Sequence, residues 1–536
     1  MKKIENKKRS YQSLIPALFL VFCFLLLHPL LSHSQKKVEI VHAGSLKFDK
    51  RLGNGAKRLI GDVEFKQENT YMFCDSAYFY ENNSLDAFGH IHVNQNDSIH
   101  MYGDLLKYDG NTKQAVISQN VIVDKGDMHL ATEMLNYDMG KSVGFYTTPA
   151  RITNKDNILT SDQGYFFSKT NDLNFKKNVE LTNPEFVINS DTMRYNTTSK
   201  ITYFLGPTTI KSKENLIYCE DGWYDTKKDL SRFSKNSYIL TKEQKMFGDS
   251  LYYDRKKGIG RAVKNVNVID TAKKMDIKGD LALHYEFTNT SIVTGHALLT
   301  QKYEKDTLFV HADTLKAIGE KEEVESKKNQ ASRIKNQETI TDNKQQTTNN
   351  RQQTLFAYHK VKFFKRDLQG KCDSMFYNLT DSTMRLFGLP TLWSDENQLT
   401  ADSINLIIGE KSLKSMDMKG NSFIVSKEDS LRFNQIRGKK MKGYFTDNNL
   451  SLVHVEGNGQ TIYFVKDKEV IKAVNRADCS DLNIHFKDNK IDHITFITKP
   501  DATIYPLGQI DIQELKLRDF SWRAAERPKT REEIFK

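Results

Sequence analysis

The repeated part of this 536-residue chain lacks the i, i+3, i+4 spacing of apolar residues that an amphipathic helix needs. Proline and tryptophan are also scarce, with 9 and 3 residues, whereas there are 31 phenylalanines and 23 tyrosines. An aromatic composition punctuated by Asn, Asp and Gly favours strands and turns over helices. The sequence therefore predicts an all-β protein.

Cysteine is scarce as well, with five residues, one of them inside the N-terminal apolar run. The even number that remains is compatible with a disulfide framework, but a chain of this length does not need one. Acidic residues are fewer than basic ones, 68 against 79, which gives a net charge of +11. The first 34 residues contribute +4 of this charge (five basic residues and one acidic), so the rest carries +7. That charge suits an acidic partner without requiring one.

Long apolar runs are absent beyond the N-terminus. There, five basic residues precede an apolar run over residues 14–31, and Ser-His-Ser at 32–34 offers small residues for a cleavage site. Residues 1–34 are therefore predicted to be a cleaved signal peptide. The alternative is an uncleaved anchor, because about 18 apolar residues can span a bilayer. In both cases the rest of the chain is predicted to lie on the far side of the membrane.

One short pattern recurs along the chain: a small residue, an acid, and an aromatic residue four positions after the acid. The acids are Asp75, Asp104, Glu133, Asp162, Asp191, Glu220 and Asp249, at successive intervals of 29. A second marker, of the Asn-Val-x-Val type, keeps the same step and begins at Asn120, Pro149, Asn178, Pro207, Asn236 and Asn265. Equal spacing places like side chains above one another, which is the signature of a stacked, solenoid-like repeat fold.

The array is predicted to contain about thirteen such repeats, over residues 35–319 and, after an insertion, over residues 354–510. Each repeat is interpreted as a strand that opens at the acid, a turn, a second strand, and a third short strand. The insertion, residues 320–353, is polar and without apolar periodicity, so it is predicted to be a disordered loop at one rim. Residues 511–536 form a charged tail, and its part from residue 521 onward is also expected to be disordered.

The recurrent acid is interpreted as the first residue of a strand, where its carboxylate accepts hydrogen bonds from turn N–H groups. A calcium ladder is the alternative, but calcium needs about six to eight oxygen ligands and the array offers one acid per repeat. The position before the acid holds small residues, and Cys74 and Cys219 occupy it. Those two lie five repeats apart, at least ~24 Å at one strand spacing per repeat, too far for a disulfide. We interpret these cysteines as small packing residues.

Alternation along a strand places the residues two and four positions after the acid on one face. In a stack these positions form a continuous apolar stripe. The candidates to line a groove are Leu106, Tyr108, Leu135, Tyr137, Met193, Tyr195, Leu251 and Tyr253. The alternative is that each of these side chains fills a closed core.

Motifs for catalysis or metal binding are scarce. His90-x-His92, with Asp97 and His100 nearby, is the one cluster of metal-like residues, and we interpret it as the polar face of an ordinary second strand. The sequence has no HExxH and no CxxC. No cofactor, no metal and no enzymatic activity are predicted.

The acid-x-x-x-aromatic repeat of 29 residues, the Asn-Val-x-Val strand and the export signal together resemble the OstA-like family. Its members are relatives of the periplasmic lipopolysaccharide-transport proteins LptA and LptC and of the N-terminal domain of LptD. The resemblance covers residues 38–507, and segments 357–364 and 370–374 resemble the long versions found in Bacteroidetes. Each motif is short and degenerate, so its specificity comes from its repetition.

The family implies an elongated, open β-jellyroll, V-shaped in section, whose apolar interior shields the acyl chains of lipid A. It also implies a periplasmic location and edge-to-edge strand pairing, with membrane transport components or with itself; no nucleic-acid partner is expected. The chain departs from a full translocon, because the C-terminal transmembrane strands of one are missing from the pattern. The alternatives are a structural or adhesive β-solenoid of the cell envelope, and a carbohydrate-active enzyme on a β-helix.

Overall fold

The structure is a computed structural model, and it describes most of the chain outside the N-terminus and the 320–353 insertion. The described ranges are residues 37–48, 55–213, 215–241, 244–271, 274–304, 306–319, 354–409, 413–446, 449–467, 470–487, 490–511 and 514–536. The chain divides into two compact units, of which the first ends at Ser142 and the second is Val143–Lys536. The predicted signal peptide and the predicted loop lie outside the described residues. No helix among the described residues is long and apolar enough to cross a membrane.

Unit 1 is built from antiparallel strands. Those described are β1 (Glu39–His42), β2 (Ser45–Phe48), β3 (Lys57–Gln67), β4 (Thr70–Phe79), β5 (Leu85–Gln95), β6 (Ile99–Asp109), β7 (Gln114–Lys125) and β8 (Met128–Asp138). Strands β1 and β2 both pair with β3, and from β3 to β8 each strand pairs with the next. This meander places successive repeats side by side.

Unit 2 continues with the same kind of antiparallel pairing. Its described strands are β9 (Val143–Tyr146), β10 (Ala150–Asn154), β11 (Asn157–Ser161), β12 (Gln163–Phe167), β13 (Asp172–Thr182), β14 (Phe186–Asn196), β15 (Ile201–Ser212), β16 (Asn215–Asp225), β17 (Leu230–Ser234), β18 (Tyr238–Thr241), β19 (Gln244–Phe247), β20 (Ser250–Asp254), β21 (Ile259–Asp270), β22 (Met275–Tyr285), β23 (Thr290–Lys302), β24 (Thr307–Ile318), β25 (Thr354–Lys365), β26 (Leu368–Asn378), β27 (Thr383–Phe387), β28 (Thr391–Ser394), β29 (Asn397–Thr400), β30 (Ser403–Ile408), β31 (Leu413–Lys427), β32 (Phe433–Thr446), β33 (Asn449–Asp467), β34 (Val470–Lys487), β35 (Lys490–Phe496) and β36 (Asp501–Pro506). Three short 3-10 turns accompany them, at Glu286–Thr288, Ala524–Glu526 and Glu532–Phe535. The predicted all-β class is confirmed, and the number of repeats stays a prediction.

Most repeats consist of two long strands, and in β9–β12, β17–β20 and β27–β30 each of the two is divided into two short strands. This corrects the three-strand interpretation. In unit 1 the pair β6 and β7 shows the arrangement: Asp104 lies in the middle of β6, and Asn120 lies in the middle of β7. In such long strands the acid therefore does not open a strand, although Asp162, Asp249 and Asp402 directly precede the short strands β12, β20 and β30. The turns lie at the far ends of the long strands, about half a strand away from the acid and from the Asn-Val-x-Val marker.

A β-bulge in every second strand explains why the acid and the asparagine recur together. The register between β6 and β7 shifts opposite Asp104, where Gln119 and Asn120 are left-handed, with φ of 68° and 55°. Asparagine tolerates this conformation better than most residues, because its short side chain can bond locally. Its amide Nδ2 donates to the acid at 2.7–3.0 Å in the pairs Asn120–Asp104, Asn178–Asp162, Asn236–Glu220 and Asn265–Asp249. The acid thus accepts from a bulge side chain of the next strand, and the expected bonds to turn N–H groups are wrong.

The bulge also bends each strand, so that its two halves form two flanks around a shared apolar interior. We call flank A the half that follows the acid, and flank B the half that carries the Asn-Val-x-Val marker. In unit 1, Leu106 and Ile117 of flank A share one buried cluster with Val121 of flank B. The rings of Phe65 (flank B) and Phe79 (flank A) approach to 5.9 Å between centroids. The two inner faces therefore meet, as in a β-jellyroll.

The position before the acid lies at the inside of the bend, and this restricts it to small residues. A Cβ atom added to Gly103 would lie 2.5 Å from Cγ2 of Ile117. Cys74, Cys219, Cys372 and Cys479 are buried free thiols, and burial raises the pKa of Cys74 and of Cys219 to about 12. The interpretation of Cys74 and Cys219 as small packing residues is confirmed.

The C-terminal residues 514–536 lie on the outer face of the last strands of unit 2. Gln435 (1% exposed) donates to the carbonyl of Leu515 at 2.7 Å and accepts from the N–H of Leu517 at 2.9 Å. Gln398 holds the backbone six residues further on in the same way, at 2.7 and 2.6 Å. The expectation of a disordered tail is wrong, because buried glutamine amides replace a neighbouring strand as partners of its backbone.

Candidate functional site

The eight predicted stripe residues all lie on inner faces, but at two depths. Leu106, Tyr108, Met193 and Leu251 are 2–5% exposed and belong to the buried clusters of their units. Leu135, Tyr137, Tyr195 and Tyr253 are half-buried. Leu106, Met193 and Leu251 lie two positions after the acid, near the bend, whereas Tyr137, Tyr195 and Tyr253 lie four positions after it, toward the strand ends. Tyr108 is buried and Leu135 half-buried against this trend. Which of the eight contact a ligand stays a prediction.

Sequence reasoning missed the matching positions on flank B. The side chain three residues after the bulge points inward toward the strand ends. In β9–β21 (residues 143–270) this position is half-buried in every repeat, at Ile152, Leu181, Ile210, Ile239 and Val268. In β23–β34 (residues 290–487) it is 0–1% exposed, at Leu299, Phe363, Leu392 and Ile424. The signal was present in the sequence, because these apolar residues keep the step of the asparagine marker.

We call the first stretch the open segment and the second the closed segment. The residue four positions after the acid shows the same contrast on flank A: Tyr195 and Tyr253 are half-buried in the open segment, whereas Tyr377 is 3% exposed in the closed one. Both flanks of the open segment thus leave apolar side chains partly uncovered at the strand ends. The open segment therefore has an apolar interior that is accessible between the strand ends of its two flanks. We call this opening the mouth.

Two polar contacts close the strand ends of the closed segment. The hydroxyl oxygens of Tyr303 (flank B) and Tyr377 (flank A) lie 3.3 Å apart. Burial raises the pKa of both phenols, because it disfavours the phenolate. Beside them, Lys365 Nζ lies 3.6 Å from a carboxylate oxygen of Asp306, and both side chains are about four-fifths buried. The tyrosine contact joins the two flanks across the mouth, whereas Lys365 and Asp306 both lie at strand ends of flank B and connect neighbouring strands there.

The mouth of the open segment is instead bordered by cations. The turns that join the strands of flank A, residues 168–171, 197–200, 226–229 and 255–258, carry seven basic residues and one acidic residue. The basic residues are Lys169, Lys200, Lys227, Lys228, Arg255, Lys256 and Lys257. Lys228 and Lys257 keep 73% and 72% of their side chains exposed, and their Nζ atoms lie 3.9 and 3.2 Å from carboxylate oxygens of Asp225 and Asp254. We call this set the basic rim.

Tyrosines at the same strand ends support the rim. The hydroxyl of Tyr224 donates to Asp229 at 2.6 Å, and that of Tyr253 donates to Glu286 at 2.5 Å. Burial, followed by the bond to Glu286, raises the pKa of Tyr253 to about 12. These phenols stay protonated at neutral pH, so the net positive charge of the rim is unaffected by them.

The histidine cluster singled out in the sequence is divided between two roles. His90 occupies a bulge and its Nδ1 lies 2.8 Å from Asp75, as asparagine does elsewhere. His92 Nε2 lies 3.2 Å from His100 Nδ1 on an outer face, and Asp97 accepts from Asn94. Within the described ranges, no three His, Cys, Asp or Glu side chains are grouped so that they could hold a metal ion.

Comparisons with known proteins identify two family models along the chain. The model described as OstA-like protein matches residues 35–191, and the model described as LptA/(LptD N-terminal domain) LPS transport protein matches residues 276–412. Among solved structures, LptH, the LptA-homologous periplasmic component of the lipopolysaccharide transport device from Pseudomonas aeruginosa, is 17% identical. That match covers 20% of this chain and 80% of LptH, with a TM-score of 0.18. No curated protein matches the chain.

Proposed function

The chain belongs to the OstA-like family, and from that premise we propose that it is a periplasmic lipopolysaccharide-transport protein that shields acyl chains inside its open segment. The proposal depends on one observation above all: the same inner positions are half-buried along the open segment and fully buried along the closed one. Lipopolysaccharide transport is the activity that the description of the second family model names.

The physical case begins with the apolar interior. An acyl chain between the flanks would cover side chains such as Ile210 and Ile239, which are only half-buried without it. Transfer from water contributes ~0.8 kcal/mol per methylene, or roughly 8 kcal/mol for ten methylenes. That gain is of the same order as the ~4–15 kcal/mol that association costs in lost translational and rotational freedom.

The basic rim is the second feature that supports lipopolysaccharide binding. Phosphate groups of a lipid whose acyl chains enter the mouth would meet Lys228 and Lys257 in water at its border. Such exposed charges contribute mainly to the rate and orientation of binding, because solvent screens them. The order of groups across the mouth, apolar inside and cationic at its edge, matches an anionic amphiphile.

The partners at the ends of the protein would join by strand pairing. Among the described residues, β1 and β2 pair only with β3, and β35 and β36 pair only with β34. Leu46 and Phe48 of β2 are 47% and 69% exposed, and Ile504 of β36 is 63% exposed. Strand edges with exposed apolar side chains invite a further strand. Membrane transport components or a second copy of the chain would supply it.

Depletion of the protein in its own cells tests the proposed function. Newly made lipopolysaccharide should accumulate on the inner-membrane side, and re-expression of the chain should restore its delivery. Normal delivery in depleted cells would contradict the proposal. No observation favours the alternative function, a structural or adhesive β-solenoid. If that alternative were correct, protease added to intact cells would cleave the protein.

A further inference from the structure

One row of side chains crosses the outer face of flank A in the open segment. Strand register places six residues directly opposite one another along β14–β21. In order these are Arg194, Tyr203, Trp223, Arg232, Tyr252 and Arg261. We call this set the arginine–aromatic row. It lies back to back with the apolar interior, because alternate residues of the same strands point inward.

The guanidinium groups of the row lie against tyrosine rings. Cζ of Arg194 is 4.4 Å from the ring centroid of Tyr203, and Cζ of Arg232 and of Arg261 are 5.5 and 5.8 Å from that of Tyr252. A guanidinium held on an aromatic face keeps its N–H donors in one plane and in a fixed direction. This is the arrangement in which arginine binds an oxyanion with little loss of side-chain entropy.

The three arginines of the row have no direct acidic partner among the described residues. None of the three arginines forms an ion pair with a described residue, and Nε of Arg194 and of Arg232 is buried without a hydrogen-bond partner. Arg232 donates only a long bond, 3.4 Å, to the hydroxyl of Ser250. Donors without acceptors in a buried position cost free energy unless a ligand completes them.

The carboxylates next to the arginine–aromatic row accept hydrogen bonds from groups other than its three arginines. Asp172 accepts from Asn196 at 2.9 Å, and this bond, more than the charge of Arg194, holds the pKa of Asp172 below its usual value. Asp221 accepts from Ser234 at 3.0 Å, and Asp254 accepts from the N–H of Lys257 at 3.1 Å. These acids keep their negative charge but accept hydrogen bonds from other groups, so they give the guanidinium N–H groups of the row no direct acceptor.

We propose that the arginine–aromatic row binds the phosphate groups of a phosphorylated saccharide, with Trp223 offering its half-exposed ring to a sugar between Arg194 and Arg232. Three strand spacings separate these two arginines and two separate Arg232 from Arg261, about 14 and 10 Å. The row thus suits a saccharide with more than one phosphate. This inference rests on the proposed function, because it assigns the row to the headgroup of the same cargo.

The test uses the full mature chain and the saccharide part of lipopolysaccharide, freed of its acyl chains but still phosphorylated. The triple variant Arg194→Gln, Arg232→Gln, Arg261→Gln should bind this probe at least about tenfold more weakly, as expected for losing charged hydrogen bonds. The same saccharide treated with phosphatase should bind the wild type as weakly as the untreated one binds the variant. Equal binding of the phosphorylated probe to wild type and variant overturns the proposal.

Two further variants separate the row from bulk charge and from misfolding. Arg151→Gln, Lys211→Gln, Lys278→Gln removes three exposed cations from flank B of the same unit and should keep affinity within about twofold, since screened surface charges contribute little. A loss equal to that of the row variant contradicts a specific site. Replacing the three row arginines by lysine keeps the charge and should give an intermediate loss, because lysine lacks the planar fork.

Binding of lipopolysaccharide inside the open segment is measured separately, by photocrosslinking from interior residues. If these residues form lipopolysaccharide crosslinks while the row variant binds the saccharide as well as the wild type does, this inference alone is overturned. Saccharide binding by the row without interior crosslinks would instead contradict the proposed function. An acidic peptide such as polyglutamate that binds the wild type as tightly as the phosphorylated saccharide would show that the row does not recognise saccharides.

Discussion

The open and closed segments are made from the same repeat, yet their interiors differ. At the position three residues after the bulge, Ile210 and Ile239 are half-buried, whereas Phe363 and Ile424 have no exposed surface. The register, the bulges and the acid–asparagine pairs are present in both segments. The difference therefore comes from what covers the strand ends, and not from the repeat itself.

Two features that the described residues of the open segment lack accompany the burial of the strand ends in the closed segment. Inside, the Tyr303–Tyr377 contact joins the flanks over 74 residues of chain. Outside, the C-terminal tail covers strands of the closed segment, where Trp393 is 1% exposed and Thr391 accepts a hydrogen bond from Arg523 of the tail at 3.3 Å. A segment with both features has a core like that of an ordinary domain. The open segment lacks this closure in the described residues, and its own strands cannot cover the mouth.

The largest expected effect compares one residue type in the two segments. Ile424→Ala leaves a cavity in a filled core and should lower the free energy of local unfolding by about 3 kcal/mol, whereas Ile210→Ala should lower it by about 1 kcal/mol. Hydrogen exchange of β31 and β15, strand by strand, measures each cost without assuming that the whole chain unfolds at once. Equal costs would remove the distinction between the segments.

The next effect concerns the outer cover of the closed segment. Gln398→Ala removes two backbone hydrogen bonds to the tail and should weaken its docking by about 2 kcal/mol, since a buried pair is lost. Limited proteolysis should then cleave the tail faster while leaving β9–β21 as resistant as before. An unchanged rate of tail cleavage would show that the hydrogen bonds of Gln398 do not hold the tail in place.

A smaller effect should be shared by both segments. Asn236→Ala and Asn421→Ala each remove an amide that donates to an acid, at 2.8 and 3.2 Å, and place alanine at a positive φ. The expected cost is about 1.5 kcal/mol in each segment, from one exposed hydrogen bond and left-handed strain. A cost confined to one segment, seen by hydrogen exchange of the neighbouring strands, would mean that the bulges contribute to closure.

The smallest effect depends on pH and on the closed segment alone. Because the pKa of Tyr303 is raised in the folded protein, the neutral phenol is favoured by folding. Its stabilising contribution is complete below the ordinary value of 10.0 and is lost as pH rises above it. Tyr303→Phe should cost about 1 kcal/mol at pH 7 and reduce the alkaline loss. An alkaline loss of the same size in the variant and in the wild type would contradict this account.

Periodicity in the sequence was enough to predict the repeat, the inward stripe and the small position before the acid. Each of these depends on local spacing, so Leu106 and Cys74 could be placed from neighbours in the chain alone. The acid–asparagine pair was missed although both series were visible, because a bulge is a contact between residues 16 apart, such as Asp104 and Asn120. Reading both series as one pair would have revealed it.

Closure and the tail depend on contacts that no local pattern encodes. Tyr377 follows the same acid-x-x-x-aromatic rule as Tyr195, and only its distant partner Tyr303 distinguishes it. The tail is charged, so its composition predicted disorder, whereas its docking depends on Gln398 and Gln435 more than 75 residues away. Long-range pairs of this kind appear only in the folded chain.

Photocrosslinking at matched inner positions tests the central claim most directly. A photoreactive residue at Ile210 in the open segment and another at Ile424 in the closed segment occupy the same place in the repeat. In cells, the account predicts lipopolysaccharide adducts from Ile210, with Tyr195 behaving alike, and none from Ile424. Adducts of equal yield at both positions, or none at Ile210 in a folded protein, would contradict it.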